Sequence, residues 1–127
     1  MSLTVLHLED ISSLRDMLRS TLNVLHPGCI LHEFSNSDDA QAFIERAGAT
    51  VDLFLLDMRV PGVVDGLGVA QQIHDLGYPG VVIVTSAYRP PDQGLLETLQ
   101  ARWLHKPWQI DDIRELLRLA AEHRANP

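Results

Sequence analysis

Three short apolar runs in this chain each end in charge. Val51-Asp52-Leu53-Phe54-Leu55-Leu56 closes on Asp57, Leu3-Thr4-Val5-Leu6-His7-Leu8 closes on Glu9-Asp10, and Trp103-Leu104-His105 closes on Lys106-Pro107. Runs of this length read as strands buried in a parallel sheet. The C-terminal tips of parallel strands share one edge, so three acids and one lysine converge there. Crowded carboxylates repel and raise one another's pKa values unless a cation intervenes. Magnesium suits them, because it takes hard oxygen ligands, keeps several waters, and is usually held by one or two carboxylates plus phosphate oxygens. Asp10 and Asp57 are the expected direct ligands, with Glu9 acting through water and the carbonyl of Arg59 as a further oxygen. Asp57 can then attack a phosphoryl group in line and form an acyl phosphate. Lys106 is expected to pair with one equatorial phosphoryl oxygen, and the hydroxyl of Thr85 to donate to another.

The elements that must position these residues follow a βαβα pattern, which implies a doubly wound α/β fold: a five-stranded parallel sheet with helices on both faces. Strand one covers about residues 4 to 8. Ser12 or Ser13 is expected to cap a helix whose inner face is Leu14, Leu18, Thr21, Leu22 and Leu25, stopped by His26-Pro27-Gly28. Strand two runs from Cys29 to Phe34; Asn36 or Ser37 caps a helix with Ala40, Phe43, Ile44 and Ala47 in helical spacing, ended by Gly48. After strand three come a Pro61-Gly62 turn, an apolar Val63-Val64 loop and a helix to Leu76, weakened by Gly66 and Gly68. Strand four is the β-branched run Val81 to Thr85. Tyr88-Arg89-Pro90-Pro91 then forces a turn, leaving residues 92 to 100 for a short, frayed helix. The final helix is expected to bury Ile110, Ile113, Leu116, Leu117 and Ala120, with Asp111 and Asp112 in its first turn and arginines later, as its macrodipole favours.

With 127 residues the chain fits one domain, residues 1–127, able to bury a core without staples. No apolar stretch reaches the roughly 18 residues of a membrane span and no export leader is present, so a cytoplasmic location with no membrane partner is expected. One cysteine, Cys29, excludes an internal disulfide and a Cys-based zinc site. A net charge of −7 argues against direct nucleic-acid binding, which needs a basic face. The six histidines show no metal-binding spacing.

Taken together, Glu9-Asp10, Asp57-Met58-Arg59-Val60-Pro61-Gly62, Asp65-Gly66, Thr85 and Lys106-Pro107 resemble, in order and spacing over nearly the whole chain, the receiver domain of bacterial two-component response regulators. The resemblance implies a flavodoxin-like (βα)5 fold with strand order 2-1-3-4-5. It implies Mg²⁺-dependent phosphorylation of Asp57 by a histidine kinase or phosphotransfer protein, and only slow self-phosphorylation and self-dephosphorylation rather than enzyme turnover. Thr85 would move toward the new phosphoryl group and Trp103 would turn inward behind it, changing a surface of the fourth helix, fifth strand and fifth helix that recruits a downstream partner or output domain. The Lys106-Pro107 bond is expected to be cis, and homodimerisation is compatible with the resemblance.

The chain departs from the resembled pattern in four places. Val63-Val64 adds a residue before Asp65-Gly66, and Leu99-Gln100-Ala101-Arg102 lacks the Gly-Ala pair that usually precedes strand five. Trp103 stands where Tyr or Phe is commoner, and Trp108 where Phe is usual. Thr85 and Ser86 leave two candidate hydroxyls; Thr85 is preferred because it needs the smaller deletion before Lys106. Two rival readings remain. A phosphohydrolase of the haloacid dehalogenase type also uses an aspartate after an apolar strand, but its second aspartate is replaced by Arg59. A pseudo-receiver serving only as a protein-binding module is disfavoured by the complete acidic set.

Overall fold

A computed structural model describes residues 2–126. Strands β1 (Thr4–Leu8), β2 (Ile30–Phe34), β3 (Leu53–Asp57), β4 (Val81–Ser86) and β5 (Ala101–His105) alternate with helices α1 (Ser12–Leu25), α2 (Ser37–Ala47), α3 (Gly66–Leu76), α4 (Gln93–Leu99) and α5 (Ile110–Ala125). All strand pairs are parallel, and the sheet order is β2-β1-β3-β4-β5. This is the flavodoxin-like order expected. The order reverses between β1 and β3, which opens a crevice beyond their C-terminal ends.

Side-chain alternation divides the core into two layers. Leu6, Leu8, Phe54, Leu56, Val82 and Val84 face one side and pack with Phe43 and Ile44 of α2 and Val69 and Ile73 of α3. Val5, Leu53, Leu55 and Ile83 face the other and pack with Leu18 and Leu22 of α1, Ile113 and Leu116 of α5, and Trp108. The central strand β3 is buried at every position, which is why it reads as an unbroken apolar run.

Several local expectations change. The N-cap of α1 is Ile11, without a side-chain cap, and neither Ser12 nor Ser13 fills that role. Its first-turn amides bond the Ile11 carbonyl instead, and the Glu9 carboxylate accepts from Ile11 N–H at 3.2 Å. The short α4 is capped at both ends rather than frayed: the Asp92 side chain accepts from Leu95 N–H at 3.0 Å, and Gln100 turns left-handed at φ 54°. Strand β5 begins at Ala101, two residues earlier than its apolar stretch indicates, and β4 extends to Ser86. Ile110 is exposed rather than buried. Asn36 caps α2, and Asp65 caps α3 by accepting from Gly68 N–H at 2.9 Å.

Candidate functional site

The tips of β1, β3 and β5 meet at one rim. Carboxylate oxygens of Glu9, Asp10 and Asp57 lie within 4.8 Å of one another. Asp57 ends β3 and is 6% exposed; Glu9, just past β1, is 2% exposed, whereas Asp10 is open to solvent. Lys106 Nζ donates to Glu9 Oε1 at 2.7 Å and to Asp57 Oδ2 at 3.1 Å. Its ammonium therefore bridges two of the three acids. The Lys106–Pro107 peptide is cis.

Backbone contacts fix the rim. Met58 N–H bonds the Thr85 carbonyl at 2.9 Å, tying the end of β3 to β4, and Arg59 N–H approaches Asp57 Oδ1 at 3.4 Å. Arg15 of α1 donates to the Glu9 carbonyl at 2.7 Å. At Gly66, the first residue of α3, the helix lies directly against Asp57: a Cβ there would stand 2.2 Å from the Asp57 carbonyl oxygen. Only glycine fits that approach.

Burial pushes the Glu9 carboxyl above the usual carboxylate range and Asp57 adds to this, against the lowering effect of the Lys106 hydrogen bond. Desolvation lowers the Lys106 ammonium, but hydrogen bonds to Glu9 and Asp57 outweigh it and raise the group overall. The site thus carries more negative charge than one lysine neutralises. Three clustered carboxylates form a hard-oxygen donor set, so the residues present fit a divalent cation of the magnesium type. The metal would be held by Asp10 and Asp57, with Glu9 behind them.

Asp57 opens into a cavity of about 500 Å³ lined by Asp10, Ile11, Leu14, Met17, Arg59, Ser86, Ala87, Tyr88, Lys106, Pro107 and Trp108. Of the two candidate hydroxyls, Ser86 lines this cavity and the preferred Thr85 does not. The register explains why. Asp57 pairs with Thr85, so Ser86 stands one residue further along β4, at the end of the strand. Trp103 is half-buried, and its indole N–H donates to Ser86 Oγ at 2.9 Å; Ser86 Oγ donates to the Arg89 carbonyl at 3.2 Å.

Sequence reasoning missed the apolar wall formed by Ile11, Leu14 and Met17 of α1, and it missed Tyr88. Helical spacing places Leu14 and Met17 three apart, the one signal available for the wall. Tyr88 stands in a loop without periodicity, and nothing in the chain points from it to Arg59.

Comparison with known proteins bears on the family and the fold. Residues 5–118 match the model of the response regulator receiver domain family. A curated relative, the cyclic di-GMP phosphodiesterase response regulator RpfG of Xanthomonas campestris, is 30% identical over 118 residues. The match covers 90% of this chain but only 30% of the length of that relative. Among solved structures, a CheY-like response regulator receiver domain protein from Methanospirillum hungatei superposes with a TM-score of 0.86 at 18% identity, covering 100% of both chains. The signal receiver domain of an HD domain-containing protein from Pseudomonas fluorescens gives 0.83 at 22% identity, again over 100% of both. These structural likenesses carry the fold, and the family match over most of the sequence carries the membership. The chain belongs to the receiver domain family of two-component response regulators.

Proposed function

We propose that residues 1–127 act as one receiver domain that accepts a phosphoryl group on Asp57 from a histidine kinase or phosphotransfer protein, in a reaction that needs Mg²⁺, and relays it to a downstream partner or output domain. The observation that carries this reading is the Lys106 ammonium bridging Glu9 and Asp57 beside the exposed carboxylate of Asp10. An Asp57 oxygen bonds to phosphorus as the phosphorus–nitrogen bond of a phosphohistidine breaks, and the electron pair returns to the imidazole. Bound magnesium would neutralise charge on the phosphoryl oxygens. Lys106 is placed to exchange its bond to Asp57 for one to a phosphoryl oxygen.

The hydroxyl that follows the phosphoryl group is assigned to Ser86 rather than Thr85, because Ser86 borders the Asp57 cavity. Trp103, bonded to Ser86, would carry the change to β5. The half-exposed side chains Ile11 and Met17 flank the acceptor and supply an apolar surface on which a protein donor can seat. No helix among the described residues is long and apolar enough to cross a membrane. Action in the cytoplasm, through protein contacts rather than nucleic acid, is the location and mode proposed.

Intact-mass measurement after incubation with acetyl phosphate and Mg²⁺ tests the reading. Wild type should gain one phosphoryl group and Asp57→Asn should gain none. A wild type that stays unmodified would exclude this function in favour of a protein-binding module.

A further inference from the structure

Of the three acids at the rim, Glu9 and Asp57 accept hydrogen bonds through their carboxylates. Among the described residues nothing donates to the exposed carboxylate of Asp10. An Asp10 oxygen nonetheless lies within 4.8 Å of oxygens of the other two. Its place is therefore set through the backbone on either side of it.

That backbone, the turn Glu9-Asp10-Ile11, is held at three points. Glu9 N–H bonds the Phe34 carbonyl at 2.9 Å, Ile11 N–H donates to Glu9 Oε2 at 3.2 Å, and the Glu9 carbonyl accepts from Arg15 Nη1 at 2.7 Å. The last bond is the shortest of the three, and it is charge-assisted. The carbonyl it grips belongs to the planar peptide that joins Glu9 to Asp10, so fixing that oxygen fixes the direction in which the chain enters Asp10. Helix α1 has no side-chain cap at Ile11. Arg15, one turn into the helix, reaches back and secures the turn instead.

The half-buried guanidinium also brings a positive charge to the rim. After burial and Lys106, Arg15 is the third cause that holds the imidazole of His7, two residues before Glu9, low. On charge alone such a group repels a dication. Charge and geometry thus give opposite signs for the effect of removing Arg15 on metal binding.

We propose that Arg15 is a positioning residue for the metal site: its bond to the Glu9 carbonyl holds the Asp10 carboxylate in place for Mg²⁺, and this outweighs the repulsion. The role rests on the proposed function, in which the rim holds Mg²⁺. A guanidinium has no lone pair to give a metal, so Arg15 acts only through the Glu9–Asp10 peptide. Outer groups that orient a ligand in this way set metal affinity without touching the ion.

The test titrates Mg²⁺ alone into wild type, Arg15→Met and Arg19→Met, and follows amide NMR shifts at the rim. Methionine keeps an unbranched stem and removes both the charge and the donors. Arg15→Met should bind Mg²⁺ roughly ten-fold more weakly, the low end of the cost of losing an outer partner, because relief of repulsion offsets part of the loss. Arg19, one turn further along α1, pairs with Asp16 and Glu33. Arg19→Met should leave the affinity unchanged. The same spectra show whether each variant is folded; if Arg15→Met is not, Arg15→Gln, shorter and neutral, carries the same expectation. Binding by the Arg15 variant as tight as wild type, or tighter, would overturn the positioning role and leave Arg15 as a charge alone. Equal weakening in Arg19→Met would overturn it in favour of a general loosening of α1. Absence of Mg²⁺ binding by wild type would overturn the reading of the rim as well.

Discussion

The Trp103 indole N–H donates to the Ser86 hydroxyl across 2.9 Å. This bond links the edge strand β5 to the tip of β4, directly beside Asp57. The hydroxyl has one proton, and it is given to the Arg89 carbonyl at 3.2 Å. A phosphoryl oxygen that captures this proton therefore releases the loop after β4 and pulls on the indole at the same time.

Trp103 should report that event. In a Trp108→Phe background, where Trp103 is the remaining tryptophan, treatment with acetyl phosphate and Mg²⁺ is expected to shift the emission of Trp103. Ser86→Ala should abolish the shift while Asp57 still gains mass. The same substitution removes a half-buried hydrogen bond and should cost about 0.5–1.5 kcal/mol in urea denaturation. An undiminished emission change in Ser86→Ala would show that Thr85, or no hydroxyl, couples the site to β5.

Lys106 holds two buried carboxylates, so replacing it leaves both uncompensated. Lys106→Met is expected to lose about 1–3 kcal/mol of stability without metal, less than for a fully dry pair because the site borders an open cavity. Magnesium should recover part of the loss, since a cation that binds only the folded chain stabilises it by mass action. Asp57→Asn works in the opposite direction. It removes one of three mutually repelling charges and should raise the stability of the metal-free protein while shrinking the gain from Mg²⁺. Urea titrations of the three proteins with and without Mg²⁺ check this, and a Lys106→Met variant as stable as wild type would refute it.

The strand ends that carry this site were readable because β1, β3 and β4 are central and buried, so each is an apolar run with a sharp polar end. The edge strand β5 was harder. Exposed Arg102 and His105 interrupt the half-buried Ala101, Trp103 and Leu104 along a strand open on one side, and its first two residues carry little apolar signal. The choice between Thr85 and Ser86 turns on which of them borders the cavity at Asp57: Thr85 is the one level with Asp57, and Ser86 stands one residue further along β4. That is a property of strand register, and no local pattern in either strand encodes it. The serines after Ile11 resemble caps by composition, yet the amide they might have accepted from is served by other groups. The Arg59–Tyr88 pair joins two loops 29 residues apart, where neither helical nor strand periodicity operates.

Gly66 shows how composition can mislead in energetic terms. In the sequence it weakens a helix; in the fold it lets α3 rest on the backbone of Asp57, where a Cβ would come within 2.2 Å of the carbonyl oxygen and 2.7 Å of the carbonyl carbon. Gly66→Ala should destabilise the protein by roughly 1–3 kcal/mol through overpacking and should also slow phosphoryl loading, because the strain falls on the acceptor. Gly80→Ala is the matched control. Its Cβ would meet the Val51 carbonyl oxygen at 2.4 Å, before the start of β3 and remote from the rim. Comparable loss of stability with loading intact is expected there. Equal loading defects in both variants would assign the effect to general destabilisation.

His7 sets the behaviour of the domain in acid. It lies on β1 opposite Leu55 of β3 and Glu33 of β2, is 2% exposed, and its Nδ1 has no hydrogen-bond partner. Burial, helped by the charges of Lys106 and Arg15, pushes the imidazole down from 6.5 to about 3. Between these values the unfolded chain binds a proton that the folded chain does not, so stability rises with pH across that window. The contribution is fully present above about 6.5 and is lost as pH falls toward about 3. Glu9 acts in the opposite sense. Its raised value means that the unfolded chain releases its proton first as pH rises past 4.5, so Glu9 lowers stability above that point. Comparing wild type with His7→Leu, an apolar side chain of similar bulk, cancels the Glu9 effect. On moving from pH 7 to pH 4.5, wild type should lose about 2–3 kcal/mol more than His7→Leu in urea denaturation. Parallel pH dependences in the two proteins would mean that His7 charges within the folded state, and that the region between β1 and α1 admits water.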